Sequence, residues 1–286
     1  MRIVISGANG FIGRNLTIVM QKRGWEVIPL GRGDFEKGKA HLSQKITGSD
    51  VLINLAGVPI VHRWSESYKQ ELCDSRILTT QRLVEAMAAS AEIPKLFIST
   101  SAIGIYAEAG RHTELVYVPA GDFIGKLCQD WEAEASVASA FTRTAIFRLG
   151  IVLAREGGAL PKMMLPFKLG VGGKIGSGKQ GFSWIHLQDL IAAYFFVIEN
   201  DPLSGTYNLT SPEPCNNFIF TKTIARILHR PALFTVPAFV LKLIYGEGAA
   251  AVTGGQIALP ERLLSAGFQY KFPALEGALK DILDNG

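Results

Sequence analysis

The chain has 286 residues, of which 48% are hydrophobic and 19% charged, so it can bury a substantial core and disorder is excluded. The net charge of +4 comes from scattered residues, which gives no support to nucleic-acid binding. Cys73, Cys128 and Cys215 fit neither a disulfide framework nor a metal-ligand cluster and predict reduced thiols in a cytoplasmic protein. We expect no signal peptide and no membrane span, since no apolar run approaches ~20 residues.

Strands and helices are predicted to alternate along the first 150 residues. Short apolar runs predict strands at 2–6, 25–30, 50–55, 95–100 and 144–149. Between them, apolar residues at three- and four-residue steps predict helices at 11–23, 65–89 and 122–140. This alternation is typical of an α/β fold with a doubly wound parallel Rossmann sheet.

The alternation breaks after residue 150. The glycine-rich residues 170–181 predict a mobile loop without regular structure, and residues 205–210 predict one further strand. We therefore divide the chain into a Rossmann domain over 1–155, to which 182–210 return, a glycine-rich loop over 156–181, and a smaller, mostly helical C-terminal domain over 211–286.

Residues 7–13, Gly-Ala-Asn-Gly-Phe-Ile-Gly, form a G-x-x-G-x-x-G motif between the first predicted strand and helix. Glycines there permit a tight turn, close approach of a pyrophosphate to the backbone and close packing of helix on strand. The N-terminus of the helix directs unpaired N–H groups and its positive dipole end at the phosphates. The motif predicts a dinucleotide site, and a glycine-rich turn without a ligand is the alternative.

The end of the second strand distinguishes the two nicotinamide cofactors. An acidic residue there binds the ribose hydroxyls of NAD, whereas an arginine accommodates the 2′-phosphate of NADP. Arg32 occupies this position, and its planar, permanently charged guanidinium suits a phosphate. The sequence therefore favours NADP, with a solvated loop arginine as the alternative.

These motifs resemble the short-chain dehydrogenase/reductase superfamily in its extended, nucleotide-sugar-epimerase-like branch. The glycine motif, Asn54-Leu55-Ala56-Gly57 and Ser99-Thr100-Ser101 match that branch in order. The chain is more similar still to an atypical group of NAD-dependent epimerase/dehydratase-like "epimerase family" proteins. That similarity lies in Ser75-Arg76, Asp130-Trp131-Glu132, residues 160–190 and residues 267–283. It covers essentially the whole chain and implies a C-terminal domain that covers the substrate.

The resemblance also implies which residues contact the cofactor. Those lining the pyrophosphate would be Gly7, Gly10, Phe11, Ile12 and Gly13, with Arg32 on the 2′-phosphate. Leu55 and Ala56 would pass beneath the adenosine side, and the other positions near the cofactor are Glu71, Arg76 and Val152. For Glu71 a surface carboxylate on a helix is the alternative, whereas Arg76 stands where extended members usually carry an asparagine near the nicotinamide.

The catalytic residues are where the sequence departs from the superfamily. Active members use a serine together with a tyrosine and a lysine that lie four residues apart on one helix. No tyrosine of this chain is followed four residues later by a lysine. Alignment on Glu132 places Ile124 at the tyrosine position and Cys128 at the lysine position, and neither side chain can do the usual chemistry.

Two candidate catalytic residues remain. Ser101 is retained, and Tyr106 is a candidate proton donor. The alternatives are a serine that bonds the backbone at the strand end and a half-buried packing tyrosine. Cys128 is either an inert buried thiol or, beside Arg76 or the nicotinamide, a thiol of low pKa. Asp189 is expected to supply the N-terminal charge or cap of a helix.

Two functions are consistent with these residues. The first is an NADP(H)-dependent oxidoreductase or epimerase-like enzyme, whose substrate lies between the sheet and the C-terminal domain beneath residues 170–181. The lysines near that loop favour an anionic small molecule such as a nucleotide sugar; they are Lys162, Lys168, Lys174 and Lys179. The second is a non-catalytic NADP(H)-binding sensor or regulatory protein, which the missing tyrosine–lysine pair favours. The retained Ser101 favours the enzyme.

Overall fold

A six-stranded parallel sheet forms the centre of the computed structural model, which describes residues 1–284. Its strands are β1 (Arg2–Ser6), β2 (Glu26–Leu30), β3 (Val51–Asn54), β4 (Leu96–Ala102), β5 (Arg143–Leu149) and β6 (Gly205–Leu209). The strand order is β6-β5-β4-β3-β1-β2. The predicted fold class is therefore confirmed. The chain leaves β1 toward one edge and returns at β3 on the other side, which opens a crevice at the carboxyl end of β1.

Helices cover both faces of this sheet and form most of the C-terminal part. They are α1 (Phe11–Lys22), α2 (Arg32–Glu36), α3 (Lys39–Ile46), α4 (Glu66–Cys73), α5 (Thr79–Ala88), α6 (Phe123–Ser136), α7 (Leu160–Lys168), α8 (Leu187–Glu199), α9 (Asn217–Ile227), α10 (Ala238–Tyr245), α11 (Ala250–Thr253), α12 (Glu261–Ser265) and α13 (Leu275–Asp284). No helix within the described residues is long and apolar enough to cross a bilayer.

Successive side chains of each strand point to opposite faces of the sheet and therefore pack into two different hydrophobic clusters. In β1, Ile3 and Ile5 face a cluster that includes α1 and α8, whereas Val4 faces the cluster formed with α3 and α5. Strands buried on both faces explain the continuous apolar runs of the sequence.

The predicted helix over 65–89 is interrupted. A π-helical turn, Asp74–Leu78, separates α4 from α5. The hydroxyl of Thr80 donates to the carbonyl of Arg76 at 2.7 Å. π-Turns inside helices frequently accompany functional sites, and this one carries Arg76.

Residues 170–181 contain regular structure, contrary to the expectation of a mobile loop. A short strand, Gly173–Ile175, pairs in parallel with Phe234–Val236, and Gly181–Phe182 pairs with Cys215–Asn216. A Cβ at Gly173 would lie 1.9 Å from the carbonyl oxygen of Phe234, so glycine is required for this close approach. The glycines here permit strand pairing with the C-terminal part of the chain, a partner that local sequence does not reveal.

The N-terminus of α8 is capped by His186, and Asp189 is an acidic residue of the first turn, so the prediction of Asp189 as the N-terminal charge is confirmed and that of Asp189 as the cap is wrong. The Nδ1 atom of His186 accepts the backbone N–H of Gln188 at 3.1 Å. Asp189 instead accepts the backbone N–H groups of Lys271 and Phe272, at 2.8 and 2.9 Å. Its carboxylate therefore attaches the C-terminal segment to α8.

Acidification is expected to destabilise the protein through His186. Burial lowers the pKa of His186 from 6.5 to about 4, and a protonated Nδ1 can no longer accept the cap hydrogen bond. Because the unfolded chain binds the proton more readily, this contribution is complete above about pH 6.5 and is lost as the pH falls toward 4. We expect His186 to lower the free energy of unfolding by about 2–3 kcal/mol at pH 4.5.

The measurement is urea denaturation at pH 7, 5.5 and 4.5. His186→Asn keeps a cap acceptor without a titratable ring, so its unfolding free energy should fall less with pH than that of the wild type. Parallel pH profiles for the two proteins would contradict this role.

Candidate functional site

The glycine motif and the turn after β3 meet at the crevice beyond β1. Gly7 has a φ of +79°, and a Cβ there would lie 2.8 Å from the carbonyl of Leu55 and 2.9 Å from the nitrogen of Ala56. A Cβ at Gly13 would lie 2.4 Å from the carbonyl oxygen of Gly7. The structure thus brings these four predicted site residues together and leaves no space for larger side chains at the two glycines.

The N-terminus of α1 opens into the same crevice. Gly10 is its cap residue and has no side chain to bond the first turn, while its own N–H donates to the carbonyl of Gly7 at 3.0 Å. The leading N–H groups of the helix, from Phe11 to Gly13, therefore lack a side-chain cap, the arrangement that binds a phosphate. This cradle fits the pyrophosphate of a dinucleotide.

Phe11 and Val152 lie on the other wall of this cradle. The ring of Phe11 contacts Gly157, where a Cβ would lie 2.3 Å from the ring carbon Cδ2. Gly158 lies between the Phe11 ring and the carbonyl of Val152, which a Cβ would meet at 3.3 and 3.0 Å. The segment after the short strand Ile151–Leu153 therefore closes over the start of α1.

Arg32 is the exposed first residue of α2 and is separated from the end of β2 only by Gly31. The nearby carboxylate of Asp34 is bound by Lys45 at 2.7 Å and by His41 at 3.0 Å. These contacts, with the Gly31 N–H, hold the pKa of Asp34 well below its usual range. No carboxylate pairs with Arg32 in residues 1–284, so its guanidinium is available to an anion.

Arg76 and Glu71 differ in their surroundings. Glu71 is exposed on α4. The half-buried Arg76 donates from Nη2 to the carbonyl of Val58 at 2.8 Å, and its guanidinium lies against Gly57 just beyond Leu55 and Ala56. Arg76 therefore borders the crevice.

Ser101 and Tyr106 belong to one buried hydrogen-bond network centred on Glu132 and Arg148. The hydroxyl of Ser101 donates to Oε1 of Glu132 at 2.7 Å, and Arg148 donates to both oxygens of Glu132 at 2.8 and 2.7 Å. The Tyr106 hydroxyl accepts from Arg148 at 2.8 Å and donates to the side chain of Asn208 at 2.6 Å. The Glu132–Arg148 ion pair is bidentate and almost wholly buried. Both predicted catalytic hydroxyls form hydrogen bonds with this ion pair.

The surroundings of these groups make them poor acids. Burial raises the pKa of Tyr106 to about 12, and its side chain has no exposed surface. Burial likewise raises the pKa of Cys128 to about 12, which favours the inert thiol over a reactive one. The network favours a structural role for Ser101 and Tyr106, and their catalytic role stays a prediction.

A cavity of about 560 Å³ lies where the N-terminus of α6 faces α10 and α11. Its lining includes Ile124, the residue at the family's tyrosine position, and the aromatic side chains of Trp64 and Phe123. The charged residues of the lining are Glu108, Asp122, Lys242 and Glu247. Residues 170–181 are not among the lining residues, so the described cavity does not lie beneath that segment as expected.

Sequence reasoning missed most of this cavity. Lys242 and Glu247 lie in the C-terminal part, where no motif marks them, and Trp64 and Glu108 lie in irregular loops. They meet only because the C-terminal part docks on the turn before α4, where a Cβ at Gly248 would lie 2.0 Å from the carbonyl of His62. The only available signal was Ile124, whose alignment with the catalytic tyrosine marks this end of α6.

The family model of the NAD dependent epimerase/dehydratase family matches residues 3–210, nearly three quarters of the chain. The chain belongs to this family. A second model, a domain of unknown function called DUF1731, matches residues 236–282. The C-terminal part that borders the cavity therefore has its own family signature.

Several relatives resemble the chain along its whole length. The mouse epimerase family protein SDR39U1 is 37% identical, over 99% of this chain and 100% of the mouse protein. The Staphylococcus aureus epimerase family protein SAR0825 is 36% identical, over 98% of each chain. The crystal structure of human SDR39U1 (isoform 2) with NADPH is 35% identical, covers 100% of both chains and has a TM-score of 0.92.

Tyr106→Phe is expected to lower the free energy of unfolding by about 1–3 kcal/mol, because it leaves a buried N–H of Arg148 and an oxygen of Asn208 without a partner. Urea denaturation followed by tryptophan fluorescence measures this loss. Tyr245→Phe is the control, because no hydrogen bond of the Tyr245 hydroxyl exists within the described chain, and it should change the value by less than about 0.5 kcal/mol. Equal stability of wild type and Tyr106→Phe would contradict the structural role.

Proposed function

We propose that the chain is an NADP(H)-dependent oxidoreductase with an epimerase-like fold that acts on a small polar molecule in the 560 Å³ cavity. The observation that carries this proposal is the cradle at β1, where Gly7 and Gly13 exclude a Cβ and α1 directs its first N–H groups into the crevice. The human relative crystallised with NADPH supports it, because that protein resembles this chain over its full length.

The residues that would hold the cofactor fall into three groups along the crevice. The pyrophosphate group comprises Gly7, Gly10, Phe11, Ile12 and Gly13, followed by Leu55 and Ala56 beneath the dinucleotide. Arg32 would bind the 2′-phosphate with an unpaired guanidinium. Arg76 and Val152 would border the other end, whereas the exposed position of Glu71 favours a surface carboxylate.

Bound NADPH supplies a hydride; the chain must bind and orient the substrate, exclude water and deliver a proton. With the Tyr106 hydroxyl engaged by Arg148 and Asn208, the titratable groups nearest the substrate are those that line the cavity. A proton for a carbonyl oxygen would then come from the ammonium of Lys242 or from water. A proton from such a source would replace the one that the tyrosine delivers in members of the superfamily that have the tyrosine–lysine pair.

The charges of the cavity indicate which substrates suit it. Three carboxylates and one ammonium line it, and Lys69 pairs with one of the carboxylates, Glu247, at 2.7 Å. The remaining charge is weakly negative, so a neutral or cationic molecule is favoured over an anion. The lysines near residues 170–181, which predicted an anionic substrate, do not belong to this lining. The aromatic rings of Trp64 and Phe123 offer apolar surface to such a molecule.

The alternative is a non-catalytic NADP(H)-binding protein. A cavity between the nucleotide-binding part and the C-terminal part favours the enzyme, since a sensor has no need of a substrate cavity. The first experiment measures NADPH binding by fluorescence and NADPH oxidation at 340 nm with neutral, cationic and anionic carbonyl compounds, nucleotide sugars included. Gly13→Ala, which places a Cβ against the Gly7 carbonyl, is the control that should abolish binding.

Oxidation that requires the protein and is lost in Gly13→Ala would support the enzyme. Binding without turnover across the panel would favour the sensor, and a wild type that binds no NADPH would overturn both. A preference for anionic compounds would contradict the substrate class inferred from the cavity.

Arg32→Glu is expected to weaken NADPH binding by about 10–100-fold while it changes the NADH affinity by less than about three-fold, because only NADPH carries the 2′-phosphate. Fluorescence titration with both cofactors gives the two Kd values. Lys37→Glu makes the same change of charge at an exposed position near the end of α2 and should leave both values unchanged. Equal losses for NADPH and NADH in Arg32→Glu would rule out contact with the 2′-phosphate.

A further inference from the structure

Arg76 lies at the carboxyl edge of the sheet, just beyond β3. Its guanidinium lies against Gly57, where a Cβ would be 3.2 Å from Cζ, and 5.5 Å from the centre of the Trp131 ring. The π-turn between α4 and α5 carries it to this position. Both the missing side chain at Gly57 and the irregular turn allow the charged group to approach the crevice.

The charge of Arg76 has no acidic partner. Within residues 1–284 its hydrogen-bond acceptors are neutral: the carbonyls of Val58 and Leu72, at 2.8 and 3.3 Å, and the Ser75 hydroxyl at 3.4 Å. A guanidinium has five N–H donors, so donors remain. A neutral amide side chain could hold the Val58 carbonyl equally well, and desolvation of an unpaired charge is costly. The contacts of Arg76 with the protein therefore do not explain why this residue is charged.

The strand order places this charge on one half of the crevice. The phosphate cradle lies at the end of β1, and Arg32, which marks the adenosine side, lies at the end of β2. Strands β3 and β4 lie on the opposite side of β1, so the nicotinamide half extends over their ends.

The position of Cys128 on the neighbouring helix α6 also supports placing the Arg76 charge on the nicotinamide half of the crevice. It stands at the family's lysine position, and its Sγ lies 3.9 Å from where a Cβ of Gly104, just after β4, would be. Burial and the Glu132 carboxylate raise the pKa of the Cys128 thiol, and the nearby guanidinium of Arg76 opposes this rise only in part. Arg76 therefore supplies a positive charge near the place where the lysine is missing.

We propose that Arg76 makes the site select reduced over oxidised NADP. The nicotinamide ring of NADP⁺ is cationic and that of NADPH is neutral, so an unpaired guanidinium on this half of the crevice repels only the oxidised form. The inference rests on the proposed function, since it requires NADP(H) in this crevice. It predicts that NADPH occupies the site in preference to NADP⁺ where both are present.

The test compares Kd values for NADPH, NADP⁺ and 2′,5′-ADP, a fragment without nicotinamide, by titration calorimetry. Wild type is expected to bind NADPH more tightly than NADP⁺. Arg76→Gln should lower the ratio of the NADP⁺ Kd to the NADPH Kd about ten-fold, mainly by tighter NADP⁺ binding, and leave the 2′,5′-ADP affinity unchanged. Arg76→Lys keeps the charge and should keep the ratio within about three-fold.

Lys126→Gln is the matched control, because it removes one positive charge from an exposed position of α6, where solvent screens it. An unchanged ratio in folded Arg76→Gln would overturn the inference alone, since NADPH binding would persist. A wild type that binds neither NADPH nor 2′,5′-ADP would overturn the proposed function with it. If Arg76→Gln does not fold, the wild-type ratio decides, and a ratio of one or less overturns the inference.

Discussion

The buried ion pair between Glu132 and Arg148 holds together the elements that surround the crevice. It joins α6 to β5, and its satellites Ser101, Tyr106 and Asn208 add β4, the segment after it and β6. Removing two charges from water costs several kcal/mol for each ion, so the pair is stable only when the remaining hydrogen-bonding groups around it are satisfied. The neighbouring hydroxyls meet this requirement.

The same network reaches the C-terminal part of the chain. The amide of Asn208 donates to the carbonyl of Leu259 at 2.9 Å, and Glu114 accepts the backbone N–H groups of Asn208 and Arg262. A change at the ion pair would therefore displace the C-terminal segment as well as α6. The need to satisfy the buried ion pair explains why Ser101 and Tyr106, which the sequence predicts to be catalytic, form hydrogen bonds inside the protein. A tyrosine whose pKa is raised to about 12 is a weak general acid near neutral pH, where an efficient catalyst has a matched pKa.

Sequence reasoning succeeded where the signal is local. Apolar runs and the glycine motif determine β1, α1 and the phosphate cradle, because the requirement for glycine arises within a few residues. It failed where the partner is distant in sequence. Residues 173–175 form a strand only because 234–236 pair with them, and the hydroxyl of Tyr106 meets Asn208 across 102 positions. The π-turn within 65–89 was also hidden, since the apolar period that predicts a helix continues through it.

The charged residues of the crevice and those of the cavity favour different ligands. Arg32 and Arg76 border the crevice with unpaired positive charge, whereas the cavity is lined by three carboxylates that Lys242 and the Lys69–Glu247 ion pair offset only in part. A phosphate-bearing dinucleotide is attracted to the crevice and repelled from the cavity, so it has one favourable orientation. A molecule that enters the cavity meets the negative potential of the cavity carboxylates. That potential favours a neutral or cationic substrate there and disfavours the phosphates of the cofactor. A site that receives its proton from the Lys242 ammonium or from water can therefore dispense with the tyrosine–lysine pair as a proton donor.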